Sequence, residues 1–269
     1  MEQDYYKENK NYESQLIKNY KMAARERNVA SRIKLLKKAG IAVSGSLLEI
    51  GSHEGLFLKE AQKAGFEVLG IEPNIYAANY AKERGLPSFI GSFEETFDKV
   101  KDKKFDVVAL FHTLEHMPDY LGNLEKIKML MKPGGYLIIE VPNSESYRSK
   151  KYGDDWVYVY EEHLHYFSPS GIKEILSSIG FTIKKRYFRD FDEMRMSIKW
   201  SLDRLLPIKF KNANVKNKSN GQEKVAAKGK IYRGIKIMDV FLTPARFFLA
   251  LLVKILKRGD FVFIVAKIK

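Results

Sequence analysis

Short apolar runs alternate with longer amphipathic stretches between residues 46 and 141. The runs at 46–50, 66–71 and 105–111 are apolar at consecutive positions, so a strand in any of them would be buried on both faces. Such strands, alternating with helices, are typical of a parallel sheet covered on both sides. The predicted fold is α/β, with a doubly wound, mostly parallel sheet that binds ligands at the carboxyl ends of its strands. The pattern predicts seven strands (46–50, 66–71, 87–90, 105–111, 136–141, 181–188 and 260–268) and core helices at 56–64, 75–84, 120–131 and 168–179.

The chain is predicted to consist of four parts. Residues 1–45 form a helical lead-in, because 12–39 contain no glycine or proline and place apolar residues at helical spacing. Residues 46–190 form the α/β core. Residues 191–259 do not alternate, and we interpret them as a basic, partly amphipathic helical insertion with a polar linker. Residues 260–269 return to the sheet as its last strand.

The excess positive charge lies in the insertion. The chain has a net charge of +14, and residues 191–269 hold 18 of its 47 Lys and Arg but only 6 of its 33 Asp and Glu. Such a segment suits anionic lipid, a phosphorylated substrate or nucleic acid, or it serves solubility alone. Residues 231–258 are compatible with an interfacial helix, with packing on the core and with a homodimer contact. Nucleic acid is disfavoured because the aromatic residues there are grouped with aliphatic ones and not spaced for base stacking.

The chain contains no cysteine, which excludes disulfides, thiolate zinc sites and a cysteine nucleophile. The first residues are polar, and no run approaches the about 20 apolar residues that span a bilayer. These features predict a cytoplasmic protein, with peripheral contact to the inner face of the membrane through 231–258 left open.

A glycine turn follows the first predicted strand of the core. Gly51 permits a sharp turn after that strand, and Gly55 lets a helix start close to a ligand. Glu72, 21 residues after Gly51, ends the next strand, where a carboxylate can bind both hydroxyls of a ribose. The glycines of a dinucleotide motif are incomplete, and Glu49 would repel a pyrophosphate. A positively charged, phosphate-free adenosine compound such as S-adenosylmethionine fits better.

Four further segments complete a family resemblance. In order and spacing, LLEIGSHEG, IEPN, FDVVALFHTLEHMPD and MKPGGYLIIEVPN resemble class I S-adenosylmethionine-dependent methyltransferases, which have a Rossmann-like fold. EHLHYFSPSGIKEILSSIGF is similar to the branch that contains many sugar, polyketide and quinone O-methyltransferases. The resemblance covers residues 46–190 and the last strand.

The resemblance implies a cofactor site with distinct regions. It places the methionine end beside the glycine turn, the ribose at Glu72 and Pro73, and the adenine beside the segment after the third strand. The chain departs from the family pattern at two positions. His53 stands where a glycine is usual, and Ser92 stands where an Asp often contacts the adenine. Glu94 could compensate for the missing Asp. The implied cofactor-binding residues are Glu49, Gly51, Ser52, His53, Gly55, Glu72, Pro73, Ser92, Phe93, Glu94, Phe111 and His112.

All five histidines follow predicted strands or the segment after Pro142, and so collect at one rim of the fold. Histidine suits removal of a hydroxyl proton near neutral pH. We predict His163 or His165 as the base, with His116 as a further catalytic residue, although either base candidate could instead cap a helix or pack on the sheet. Glu115 is predicted to contact the substrate, with loop ordering as the alternative. His112, Glu115 and His116 are spaced so that three metal ligands could lie on one side of a turn. We nevertheless predict no metal, because His112 replaces the acid that a hard cation would prefer.

Aromatic residues between the fifth strand and the next helix suit a ring-stacking acceptor pocket or a packed lid. Tyr147, Trp156, Tyr158 and Tyr166 are the predicted substrate contacts. The hypothesis is O-methylation of a small acceptor, such as a sugar in polysaccharide biosynthesis, a lipid-linked saccharide or a quinone-like ring. The alternative is a catalytically idle module of the same fold that binds a membrane surface or an assembly.

Overall fold

The computed structural model describes residues 15–189 and 259–268, with side chains from residue 26 onward. The chain divides into two units, Met1–Arg189 with Gly259–Lys269, and Asp190–Arg258. The predicted insertion, including the membrane or dimer segment 231–258, therefore lies outside the described residues apart from Gly259. Within the described ranges, no helix has the length and apolarity needed to cross a bilayer.

Seven strands of the described residues form one sheet in the order β3-β2-β1-β4-β5-β7-β6. The pairs from β3 to β5 are parallel, whereas β7 runs antiparallel to both β5 and β6. The predicted fold class is confirmed. In chain order the strands are β1 (Gly45–Ile50), β2 (Phe66–Glu72), β3 (Ser88–Ile90), β4 (Phe105–Phe111), β5 (Met131–Pro142), β6 (Phe181–Arg189) and β7 (Phe261–Ile268).

Helices cover the sheet on both faces. They are α1 (Gln15–Lys38), α2 (Leu56–Ala64), α3 (Ile75–Lys82), α4 (Phe93–Val100), α5 (Tyr120–Met129), α6 (Tyr147–Tyr152) and α7 (Gly171–Ser178), with short 3-10 turns at Leu114–His116 and Gly153–Asp155. Alternate residues of β4 enter two separate hydrophobic clusters: Val108 and Leu110 pack on one side, and Val107 and Phe111 on the other. This two-sided burial explains the consecutive apolar residues of the central strands.

The sequence pattern missed α4 and α6. The capping box of α4 is nevertheless readable: the Ser92 hydroxyl accepts a hydrogen bond from the Glu95 amide, and the Glu95 carboxylate accepts one from the Ser92 amide. Helix α7 was predicted to start at residue 168 and is assigned from Gly171. Ser168 still caps it, because its hydroxyl accepts from the Gly171 amide and its carbonyl accepts from the Ile172 amide.

The sheet order positions a crevice. Strand β1 lies between β2 on one side and β4 on the other, so the chain reverses its winding direction at β1 and β4. In a doubly wound sheet, ligands bind outside the carboxyl ends of the strands at this point. The loops after Ile50, Glu72 and Phe111 are therefore the ones that build the candidate site.

Candidate functional site

The turn after β1 requires its glycines. Gly51 has a φ of +76°, and a Cβ there would lie 2.3 Å from Thr113 Oγ1. Gly55 has a φ of +74°, and its Cβ would lie 2.7 Å from Leu86 Cδ1. Between them, His53 adopts a φ of +48°, a conformation that few side chains other than Asn, Asp and His accept. The turn thus forms as predicted, with an exposed histidine in a left-handed position.

Glu72 is fixed at the end of β2 by two backbone donors. Its Oε2 accepts from the His53 amide at 2.6 Å, and its Oε1 accepts from the Asn74 amide at 2.8 Å. Pro73 lies exposed between them. Each carboxylate oxygen has a second lone pair, so the group can still accept hydrogen bonds from a ligand. A ribose diol is a ligand with two such donors.

Glu49 is a buried acid that lacks a hydrogen-bond partner at one of its oxygens. It is 3 % exposed, and within the described part of the chain its Oε2 has no hydrogen-bond partner. Burial raises the pKa of Glu49 well above its usual range, and the charge of Glu72 adds to the rise while Arg32 opposes it. A ligand cation at this position would supply the missing partner. The buried Ser52 hydroxyl is also unpartnered among the described residues.

The segment predicted to contact adenine has mainly structural roles in the residues that the model describes. The Ser92 hydroxyl belongs to the capping box of α4, and Phe93 is buried in the core. Glu94 is exposed, and its carboxylate accepts a hydrogen bond from the Asn123 amide group of α5. Of these three residues, Glu94 has the position that suits a contact with the adenine. That contact stays a prediction.

Arg32 and Glu140 form a buried ion pair beneath the crevice that sequence reasoning missed. Arg32 Nη2 donates to Glu140 Oε1 at 2.6 Å, and its guanidinium lies 4.0 Å above the Phe111 ring. Arg189 donates to the other carboxylate oxygen of Glu140. These cations outweigh burial and hold the pKa of Glu140 far below its usual range. No local sequence signal predicts this pair, because its members are 108 residues apart.

His112 bridges two buried carboxylates. Its φ is +54°, its Nε2 lies 3.2 Å from Glu140 Oε1, and its Nδ1 lies 3.6 Å from Glu115 Oε1. Burial alone would lower the pKa of His112, but the neighbouring carboxylates of Glu115 and Glu140 raise it overall. Each ring nitrogen faces one of the two acids. The ring edge also packs against Phe261, with the centroids 4.8 Å apart.

This raised pKa makes the stability contributed by His112 depend on pH. Because the folded-state pKa lies above the unfolded value of about 6.5, the contribution is present below that value and is lost as the pH rises through the folded pKa. We expect His112→Asn to reduce the free energy of unfolding more at pH 6 than at pH 9, measured by urea denaturation. His53→Asn makes the same change at an exposed left-handed position and serves as the control. An equal loss at both pH values for His112→Asn would contradict the bridge.

Glu115, His116 and His163 meet in one cluster, in which each offers an acceptor atom and these atoms lie within 4.8 Å of one another. His116 Nδ1 donates to the Glu162 carbonyl at 2.7 Å, and His163 Nδ1 donates to the Tyr158 carbonyl at 2.8 Å. A neutral imidazole carries one N–H, so the lone pair of each ring is on Nε2. His163 Nε2 lies 3.9 Å from Glu115 Oε1. The cluster is thus rich in acceptors.

The electrostatics of the cluster keep His163 neutral. Burial lowers the pKa of His163, and the neighbouring imidazoles of His116 and His112 lower it further, against the charge of Glu115. His163 is buried, whereas His116 is partly exposed at the edge of the cluster. A neutral, buried imidazole beside a partly exposed one can accept a proton and pass it outward.

His165, the other predicted base, lies apart from this cluster. Its Nε2 donates to the Met117 carbonyl at 3.1 Å, and its ring packs on Tyr120 and Phe167. The His163 segment is held over Glu115 by its backbone, because the amides of Leu164 and His165 both donate to the Glu115 carbonyl. The structure therefore brings together His163, His116 and Glu115, whereas the His165 ring packs on Tyr120 and Phe167 and its catalytic role stays a prediction.

The predicted aromatic contacts divide into buried and exposed members. Trp156 is 3 % exposed and packs edge-to-face on Tyr158, so it supports the segment from inside. Tyr147 and Tyr166 are exposed and remain available to an acceptor. Tyr160 lies against the His163 ring, with the centroids 4.0 Å apart, and burial and then the nearby charge of Glu115 raise its pKa to about 12.

Comparison with known proteins supports the predicted resemblance. A family model described as a methyltransferase domain matches residues 20–185. The ubiquinone biosynthesis O-methyltransferase of Actinobacillus pleuropneumoniae serotype 7 is 32 % identical over 116 residues, which are 40 % of this chain and 50 % of that protein. The C-methyltransferase NovU of Streptomyces niveus is 23 % identical over 151 residues, or 55 % of this chain and 35 % of NovU. The chain spans half or less of the length of these curated relatives.

Solved structures share the fold. A methyltransferase dependent on S-adenosylmethionine from Archaeoglobus fulgidus superposes with a TM-score of 0.56 at 20 % identity, covering 90 % of this chain and 94 % of that one. Phosphoethanolamine N-methyltransferase 2 of Haemonchus contortus, in complex with S-adenosylmethionine, gives 0.51 at 17 % identity, covering 88 % and 52 %. At these identities the likeness concerns the fold alone.

Proposed function

Because the chain belongs to the methyltransferase domain family, whose cofactor is S-adenosylmethionine, we propose that it methylates a hydroxyl group of a small acceptor. The observation that carries the proposal is the cluster of proton acceptors formed by Glu115, His116 and His163. A hydroxyl must lose its proton when it is methylated, and this cluster provides imidazole nitrogens for that purpose.

The chain's residues fit the cofactor at both of its ends. The unpartnered Glu49 oxygen suits the positive charge of the methionine end, and the Glu72 carboxylate accepts from the ribose hydroxyls. Gly51 keeps the backbone clear of a side chain at the turn between them. A pyrophosphate would place negative charge beside Glu49, which explains why a sulfonium compound fits and a dinucleotide does not.

His163 is the proposed base. When bound, S-adenosylmethionine supplies an electrophilic methyl group, so that an O–C bond to the acceptor forms as the C–S bond breaks. The hydroxyl proton is transferred to His163 Nε2, whose ring is held by the Nδ1 hydrogen bond to the Tyr158 carbonyl. The lowered pKa of His163 keeps the base unprotonated at neutral pH. His116, partly exposed, then carries the proton toward solvent.

The proposed acceptor is a sugar hydroxyl, free or carried on a lipid or polysaccharide precursor, or a quinone-like ring. The named activity of the Actinobacillus relative supports oxygen as the methylated atom, whereas NovU is named as a C-methyltransferase. The exposed rings of Tyr147 and Tyr166 suit a flat or ring-shaped acceptor. A cytoplasmic location matches these acceptors and stays part of the proposal.

The proposal is tested by methyl transfer from labelled S-adenosylmethionine to a panel of catechol-like quinol precursors and sugar nucleotides. We expect label in one class of acceptor, attached to oxygen in the product identified by mass spectrometry and NMR. The Glu72→Ala variant provides the inactive control. Cofactor binding without transfer to any acceptor, including a cell extract, would favour the idle binding module, and label on carbon or nitrogen would contradict O-methylation.

A further inference from the structure

We propose that Glu115 is a positioning residue of this site and that its carboxylate stabilises His163 when that base takes the proton of the acceptor's hydroxyl. The inference rests on the proposed function and deepens it by naming the group that supports the protonated base. Glu115 belongs to the short 3-10 turn Leu114–His116 after β4, and His163 belongs to the segment that crosses over this turn.

The burial of Glu115 is the first observation. The side chain is completely buried, and among the described residues neither of its carboxylate oxygens has a hydrogen-bond partner. Buried carboxylates in native proteins are normally satisfied by donors or counter-charges, because an unsatisfied one is costly. His112 Nδ1 lies 3.6 Å from Oε1, beyond hydrogen-bond distance. A donor that forms during the reaction would complete this group.

A ring nitrogen of the cluster can become that donor. His163 Nδ1 already donates to the Tyr158 carbonyl, so its lone pair is on Nε2, which lies 3.9 Å from Glu115 Oε1. Once Nε2 has taken a proton, it presents an N–H beside the Glu115 carboxylate.

The elements packed against the cluster carry further charged or titratable groups. His112 faces Glu115 from the loop after β4, and Glu140 of β5 lies behind His112. Tyr160 and Glu162 lie on the segment that carries His163, and the charges of Glu115, Glu162 and Tyr166 all raise the pKa of Tyr160.

The proposed reaction moves one proton and one methyl group. The O–H bond of the acceptor breaks and its proton forms a new N–H bond at His163 Nε2. The oxygen forms a bond to the methyl carbon, and the electron pair of the C–S bond stays on sulfur. Glu115 stabilises the imidazolium that forms 3.9 Å away. The proton leaves from His163 to His116 and then to solvent.

Glu115→Gln tests the proposal because glutamine keeps the shape and removes the charge. We expect kcat to fall about 100-fold, with the KM for S-adenosylmethionine nearly unchanged. The acid limb of the kcat profile should move to lower pH, since the imidazolium of His163 loses its carboxylate neighbour. Glu115→Asp, which restores the charge, should recover part of the rate. Glu161→Gln makes the same substitution at an exposed neighbouring acid and is the matched control.

A second readout does not need an acceptor. NMR titration of the ¹⁵N-labelled imidazoles, with His163 assigned from its own variant, should show a lower pKa for His163 in Glu115→Gln than in the parent protein. Unchanged titration and unchanged kcat would overturn the proposal. Stoichiometric Zn²⁺ binding to the EDTA-treated protein, lost in Glu115→Gln, would overturn it in favour of a metal site. A shifted His163 without any methyl transfer would support the Glu115–His163 pairing and count against the proposed function.

Discussion

We expect Glu72→Ala to weaken the binding of S-adenosylmethionine about 100-fold or more. The carboxylate is proposed to accept two hydrogen bonds from the ribose, and hydrogen bonds to charged groups contribute about 1.5–3 kcal/mol each. The same group also holds the amides of His53 and Asn74, so its loss loosens the turn that surrounds the cofactor. Isothermal titration calorimetry with S-adenosylmethionine and S-adenosylhomocysteine measures the effect.

Glu67→Ala is the matched control for this prediction, because Glu67 is an exposed acid on the same strand. It changes the net charge equally and should leave the affinity within about twofold. Urea denaturation of both variants separates a loss of affinity from a loss of folding. Equal affinity of Glu72→Ala and the parent protein would contradict the placement of the ribose at the end of β2.

His163→Asn should lower kcat by about 100- to 10,000-fold, the range for removing a general base. The affinity for S-adenosylmethionine should stay within about twofold, because His163 belongs to the cluster with Glu115 and His116 and not to the turn after β1. The acid limb of the kcat profile should disappear with the base. Rapid-quench measurement of a single turnover reports the chemical step directly.

His165→Asn is the control, since His165 is two residues away and donates to the Met117 carbonyl at the margin of the cluster. We expect it to reduce kcat only a few-fold, with a modest loss of stability from its packing on Tyr120 and Phe167. A large loss in His165→Asn together with a small one in His163→Asn would reverse the assignment. Equal large losses would indicate that the whole segment, and not one imidazole, is needed.

Local patterns were sufficient for most of the fold. The consecutive apolar residues of β1, β2 and β4 predicted strands buried on both faces, and the two hydrophobic clusters confirm it. The capping box at Ser92 and Glu95 could have predicted α4, which apolar periodicity alone missed. Helix α7 is assigned from three residues after its predicted start, although Ser168 caps it as a serine before a proline is expected to do.

The sequence by itself determined the half of the site that is local. Gly51, Gly55 and Glu72 lie close together in the chain, and the steric demands of a strand–turn–helix connection make their roles readable from spacing. Only the tertiary structure decided the other half of the site, which is built from residues far apart in the chain. Arg32 meets Glu140 across 108 residues, and His163 reaches Glu115 because two backbone amides attach its segment to the Glu115 carbonyl. Spacing does not encode such meetings, since they depend on how separate loops pack and which ring nitrogens the backbone leaves available.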